Sequence, residues 1–219
     1  MTEAGYTLWA VLRRDPARPS SGTDTAGLAA LLGTLAEEGV TTRGVYDVSG
    51  LRADADLMFW LHGDDPAALQ AAHRRIRRTE PIAGMLPVWN AMAVHRDAEF
   101  SRTHVPGFLR GERPRDWLSV YPFVRSYDWY VLPDEDRARM LADHGRRGAA
   151  YKSVIANTVA AFALGDYEWI LPMESDSLTD LVDMMRDLRA TEARLHVREE
   201  VPFFTGRRID VAEIAEVLS

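Results

Sequence analysis

The chain has 219 residues, 47% hydrophobic and 27% charged, the balance of a globular protein with length for one large domain or two small ones. Zero cysteines exclude disulfides, thiolate-ligated haem, iron–sulfur clusters and cysteine nucleophiles, leaving histidine, tyrosine and carboxylate chemistry. A net charge of −7 excludes a general nucleic-acid binder, which must meet phosphates with a basic surface, and no apolar run is long enough to span a membrane. The N-terminal MTEAGYTLWAVLRRDP has no basic-then-apolar leader, so a cytoplasmic protein is expected.

Residues 6–11, YTLWAV, read as a strand of aromatic and β-branched residues, followed by a Pro/Ser/Gly/Thr-rich loop over 15–25. Leu28, Leu31, Leu32 and Leu35 recur at helical spacing between about residues 24 and 38, and Gly39 closes that helix. Strand signals follow over 42–48 and 56–62. In the second of these, Leu57, Phe59 and Leu61 alternate with Met58 and Trp60, so both faces are expected to be covered. Asp64-Asp65-Pro66 caps a helix to about Arg78, and a strand over 86–94 completes the order β-α-β-β-α-β.

The second half repeats this order. Placing the segment that starts at Ala55 on the one that starts at Tyr167, at a constant offset of 112 and without gaps, matches Asp64/Asp176, Leu69/Leu181, Arg74/Arg186, Arg77/Arg189, Thr79/Thr191 and Glu80/Glu192. Each copy has a two-faced strand, an acidic capping turn and an amphipathic helix. Around it, 117–121 is expected as first strand, 133–144 as first helix, 154–164 as a second strand or helix, and 197–204 as last strand. The predicted class is α+β: two ferredoxin-like βαββαβ repeats forming a dimeric α+β barrel. Residues 1–95 and 116–219 are the two halves, and 96–115 is a linker loop that carries His104. A loop of that length in a compact protein is uncommon without a function.

The candidate chemistry gathers in the stretch from Tyr121 to Gly145. Pro122 cannot donate to a ladder and is expected where pairing stops. Beyond Pro133 an acidic first turn opens a helix ending near His144-Gly145, which leaves His144 either an axial metal ligand or a C-cap histidine. Tyr121 reads as a core tyrosine or a redox relay, and Arg125 as a loop arginine or a fork for a carboxylate. Trp129 is core or an indole N–H donor, and Lys152 is a second anion contact. The histidines at 62, 73, 95 and 196 are assigned to scaffold.

Tyr-Pro at 121–122, Arg125, Trp129, His144-Gly145 and Tyr151, together with His104 upstream, resemble the chlorite-dismutase-like haem proteins, in particular the actinobacterial coproheme decarboxylases, over roughly residues 6–206. The resemblance implies His104 as distal base, Tyr121 as radical-forming tyrosine and His144 as proximal iron ligand; beside it, Arg125, Trp129 and Lys152 are the candidate contacts to substrate propionates. It further implies iron-coproporphyrin III (coproheme) as substrate and redox cofactor in one, with hydrogen peroxide as oxidant. Haem b is the implied product, formed through a three-propionate intermediate in the last step of coproporphyrin-dependent haem biosynthesis. A homopentamer is the implied assembly, with a coproporphyrin ferrochelatase as a candidate partner and no nucleic acid or membrane. Two alternatives stand beside it: a chlorite dismutase-like haem peroxidase and a haem-free dimeric-barrel protein. Chlorite splitters of the family carry an arginine in the segment after the proximal histidine, and firmicute-type decarboxylases a glutamine. This chain has Ala156, Asn157, Thr158 and Val159 there.

Overall fold

The structure, a computed structural model, describes residues 5–17, 24–97 and 105–219. These divide into two units, one made of residues up to 94 together with 204–219, the other of residues 95–203. His104 lies outside the described residues.

In the first unit the order is β1 (Tyr6–Arg13), α1 (Ala26–Glu37), β2 (Thr41–Asp47), β3 (Leu57–Gly63), α2 (Pro66–Ile76) and β4 (Leu86–Val94). All neighbours pair antiparallel in the sequence β4-β1-β3-β2. The alternation of β3 explains why it is central. Leu57, Phe59 and Leu61 enter a core with Leu28 and Leu35 of α1 and Leu69, Ala72 and Ile76 of α2. Each such side chain contributes about 1.5–3 kcal/mol on burial. Met58 and Trp60 are equally buried on the other face, where Trp60 packs on Trp9 with ring centroids 5.5 Å apart. Trp60 Nε1 donates to Thr7 Oγ1 at 2.7 Å, and that hydroxyl donates to the Leu61 carbonyl at 3.0 Å. Both faces of β3 are covered, as its sequence predicts. Gly39, at φ +85°, ends α1 in a conformation that favours glycine.

The second unit runs β5 (Trp117–Arg125), α3 (Asp134–Gly148), β6 (Ile155–Ala156), β7 (Val159–Ala160), β8 (Trp169–Ser175), α4 (Leu178–Leu188) and β9 (Val197–Glu199). Strand β8 pairs with β5 on one side and with β6 and β7 on the other, and β9 pairs with the end of β5. The 112-residue offset holds element by element: β8 and α4 occupy the positions of β3 and α2 shifted by that number. Their N-caps correspond too. Asp65 accepts from Ala67 N at 2.8 Å, and Ser177 Oγ accepts from Asp180 N at 3.3 Å.

Four expectations need correction. Pro122 does not mark the end of pairing, because β5 runs to Arg125 and its register with β8 passes through Pro122↔Ile170. A strand residue directs its N–H to one flank only, so a proline is compatible with a ladder on the other. Helix α3 does not stop at Gly145 but continues to Gly148. Glycine costs only about 1 kcal/mol in a helix interior, and Asp143 pairs with Arg146 and Arg147 across it. Residues 154–164 form two short strands, separated where Asn157 turns its amide N–H to the Pro172 carbonyl. The last strand of this unit ends at Glu199, short of Pro202. Phe204–Ile209 forms β10, which pairs with β2 and, followed by α5 (Ile214–Val217), belongs to the first unit. Ile209, Ile214 and Leu218 join that unit's core.

The described end of the linker is tied to the second unit. The Phe108 amide donates to Asn157 Oδ1 at 3.1 Å, Asn157 Nδ2 donates to Glu174 Oε1 at 3.0 Å, and a Cβ at Gly107 would run into Ile155. Among the described residues no helix is long and apolar enough to cross a membrane.

Candidate active site

Alternate residues of a strand share a face, and β5 presents Tyr121, Phe123 and Arg125 to one pocket. Helix α3 adds Leu141 and His144, and α4 with its C-cap adds Met185, Leu188 and Arg189, each set at the three- and four-residue spacing of one helix face. The chain after α4 closes the pocket with Arg194 and Glu200. The space free of protein atoms is about 500 Å³, part of it continuous with solvent, within the range of small-molecule and cofactor sites. Two ion pairs hold α3 against α4 and the segment beyond it: Arg147 Nη1 to Asp187 Oδ1 at 3.1 Å and Arg139 Nη1 to Glu192 Oε2 at 2.6 Å.

His144 sits in the body of α3, one turn before its end. Burial, followed by the positive charge of Arg125, lowers its pKa below the ordinary histidine value, so the neutral imidazole is favoured at neutral pH. Its Nδ1 lies 3.3 Å from Thr191 Oγ1. That hydroxyl donates its proton to the Leu188 carbonyl at 2.8 Å, which leaves the oxygen to accept. The pairing therefore assigns the proton to Nδ1 and leaves Nε2 with a lone pair, the state a histidine needs to bind a metal.

Tyr121 is 4% exposed, stacks on Phe203 with centroids 4.2 Å apart, and its hydroxyl faces Met185 Sδ at 3.6 Å. Burial, then the negative charge of Glu200, raises its pKa, so the phenol keeps its proton at neutral pH. The Arg125 guanidinium lies 4.1 Å from the centroid of Trp129 and 4.9 Å from that of Phe123. A guanidinium stacked on rings meets a carboxylate edge-on, through its in-plane N–H groups. In the same pocket lining, Glu200 Oε1 accepts from Arg189 Nη1 at 2.8 Å, and Glu200 Oε2 lies 3.3 Å from Arg194 Nη1.

Tyr121, Arg125 and His144 thus come together. Trp129 does not line the pocket: it is fully buried behind Arg125, with the His196 ring 5.4 Å away. Lys152 is exposed in the turn after α3 and outside the pocket lining. Four functional candidates escaped the sequence reading: Thr191, Arg189, Arg194 and Glu200. Thr191 and Arg189 had a signal, since both fall on matches of the repeat; Glu200 and Arg194 had none.

The residues fit an iron porphyrin. One neutral imidazole with a lone pair at Nε2 would hold the iron, apolar side chains suit a macrocycle, and three arginines suit its carboxylates.

Comparison with known proteins gives a consistent result. The family description "Chlorite dismutase" matches residues 23–209. A coproheme decarboxylase of Mycolicibacterium smegmatis is 58% identical over 179 residues, 81% of this chain and 78% of that protein. A mutant chlorite dismutase from Candidatus Nitrospira defluvii has a TM-score of 0.84 at 20% identity, covering 98% of this chain and 95% of that one. The enzyme from the same organism in complex with imidazole also gives 0.84 at 20% identity, covering 98% and 94%. These two structures establish the chlorite dismutase-like fold, mixed α+β with antiparallel sheet.

Proposed function

The chain belongs to the chlorite dismutase family, and on that premise we propose that it is a coproheme decarboxylase, converting two propionates of iron-coproporphyrin III to the vinyl groups of haem b. The observation that carries the reading to particular residues is the single pocket holding Tyr121, Arg125 and His144, in a chain 58% identical to a coproheme decarboxylase. Per cycle, one propionate, one hydrogen peroxide and one proton give one vinyl group, one carbon dioxide and two waters; two cycles pass through a three-propionate intermediate. The bound iron porphyrin supplies the oxidising power for peroxide chemistry, and the protein supplies position and electrostatics.

His144 is the iron ligand through Nε2, with Thr191 holding its tautomer. His104 is the base that takes the first proton of hydrogen peroxide, a role an imidazole can fill. Tyr121 gives up an electron and its phenolic proton together, since its buried site disfavours the phenolate. The resulting tyrosyl radical takes a hydrogen atom from the propionate β-carbon. The remaining oxidising equivalent of the peroxide, held by the bound iron porphyrin, would accept one more electron, and loss of carbon dioxide would leave the vinyl group. Arg125 grips the reacting carboxylate, and Trp129 acts by holding that guanidinium rather than by touching substrate. The same reading takes the two units as the ferredoxin-like repeats of a dimeric α+β barrel, assembled as a cytoplasmic homopentamer that receives coproheme from a ferrochelatase.

The chlorite-splitting alternative needs a polar side chain from the segment after α3. Asn157 is the candidate there, and it is fully buried, engaged by Phe108 N and Glu174. The test is a titration of the protein with ferric coproporphyrin III, then hydrogen peroxide, with products identified by mass. Stepwise loss of two carbon dioxide units is expected, abolished in Tyr121→Phe, with iron binding weakened in His144→Ala. Tight binding without decarboxylation refutes the assignment.

A further inference from the structure

The pocket contains an internal carboxylate that no reaction step uses. Glu200 has a side chain 13% exposed and is gripped by two guanidinium groups, Arg189 Nη1 at 2.8 Å and Arg194 Nη1 at 3.3 Å, that line the same pocket as Tyr121 and His144. An anion there opposes entry of a polycarboxylate, and yet it neutralises the cations a carboxylate would seek. Both arginines keep more than a third of their side chains exposed, so they are reachable from the pocket.

The geometry points to Glu200 as an exchangeable stand-in for a substrate carboxylate: it occupies Arg189 and Arg194 in the ligand-free pocket, yields them to a propionate of the incoming porphyrin, and reclaims them once the porphyrin has fewer carboxylates. This inference rests on the proposed decarboxylase reading. The substrate carries four carboxylates and the product two, so a porphyrin that reaches this end with a vinyl group cannot displace Glu200. The pocket then distinguishes porphyrins by carboxylate number, and restoring the internal ion pairs favours product over substrate in leaving. The charges act at the reactive residue too, because Glu200, Arg189 and Arg194 are the groups whose fields reach the Tyr121 hydroxyl.

The experiment uses metal-free coproporphyrin III and metal-free protoporphyrin IX as probes, which removes iron ligation from the readout, and follows quenching of tryptophan fluorescence in the full chain. Glu200→Gln should bind coproporphyrin III roughly two- to fivefold more tightly than wild type, the scale of one partly exposed ion pair removed from competition. Its affinity for protoporphyrin IX should stay at the wild-type level. Arg194→Gln, alone, should weaken coproporphyrin III more than protoporphyrin IX, and combined with Glu200→Gln it should cancel the gain; the single arginine variant keeps the test valid if Glu200→Gln folds poorly by circular dichroism. Unchanged or weaker coproporphyrin binding in Glu200→Gln, or an equal gain for both porphyrins, overturns the exchange. A wild-type chain that binds neither probe overturns the decarboxylase reading with it, whereas wild-type binding that ignores these substitutions overturns the exchange alone.

Discussion

Thr191→Val isolates what holds the ligand histidine. The substitution keeps shape and removes one hydroxyl, and with it two contacts: the 2.8 Å bond to the Leu188 carbonyl and the 3.3 Å pairing with His144 Nδ1. Thr191 is 4% exposed, so water does not readily replace either. At about 0.5–1.5 kcal/mol for each bond, stability should fall by roughly 1–3 kcal/mol. The specific effect lies in the tautomer. Without an acceptor at Nδ1 the proton redistributes between the two nitrogens, and molecules protonated at Nε2 cannot bind iron until it moves. Apparent affinity falls in proportion to the competent fraction, and loss of an outer-shell partner costs about 10–100-fold in metal affinity overall. Parallel titrations with ferric and metal-free coproporphyrin III measure this, with nitrogen-15 chemical shifts of His144 in the porphyrin-free protein reporting the tautomer. Ferric binding should weaken by that factor while metal-free binding stays put. Equal weakening of both porphyrins, or an unmoved tautomer, refutes the assignment.

Three further outcomes follow from the structure. His62 on β3 has its pKa lowered from 6.5 to about 4 by burial and then by the charge of Arg43. The folded value lies below the unfolded one, so its contribution to stability is complete above about pH 6.5 and is lost as pH falls toward 4, by up to about 3 kcal/mol. His62→Gln should flatten urea stability between pH 7 and pH 4.5, and an unchanged slope refutes it. Thr7→Val orphans the buried Trp60 indole N–H and should cost about 1–3 kcal/mol in thermal or urea unfolding; a neutral result means that N–H finds another acceptor. Asn157→Ala removes the acceptor of the Phe108 amide and should raise the rate of limited proteolysis near residues 105–112, with a wild-type digestion pattern counting against the tether.

Periodicity carried most of the fold. The two-faced strand, the capping turns and the 112-residue offset are local signals, and local hydrogen bonding and burial reproduce them in β3-α2 and β8-α4. The misread positions were those where a residue's local preference meets a tertiary constraint. Gly145 suggests a helix end, but ion pairs across it and the Arg147–Asp187 contact carry α3 onward. Pro122 suggests a break, but the register of β5 with β8 runs straight through it. Within the site, Tyr121, Arg125 and His144 were legible because their residue types announce their chemistry. Glu200 was not, because a carboxylate just past a short strand reads as a solvated charge until Arg189 and Arg194 close on it.

Thr191 shows how a scaffold feature becomes part of a site. Its counterpart at the same place in the first unit, Thr79, donates to the Ile76 carbonyl at 2.7 Å, as Thr191 does to Leu188. In both units a threonine hydroxyl satisfies a carbonyl that the end of a helix leaves without its usual partner. That bond uses the proton and orients the remaining lone pairs of the oxygen. In the second unit α3 brings His144 to that oxygen, so a device whose first effect is to finish α4 also selects which imidazole nitrogen is free. Stability and ligand chemistry are therefore coupled through one atom, and the Ser variant at 191 should restore the His144 tautomer together with the helix end.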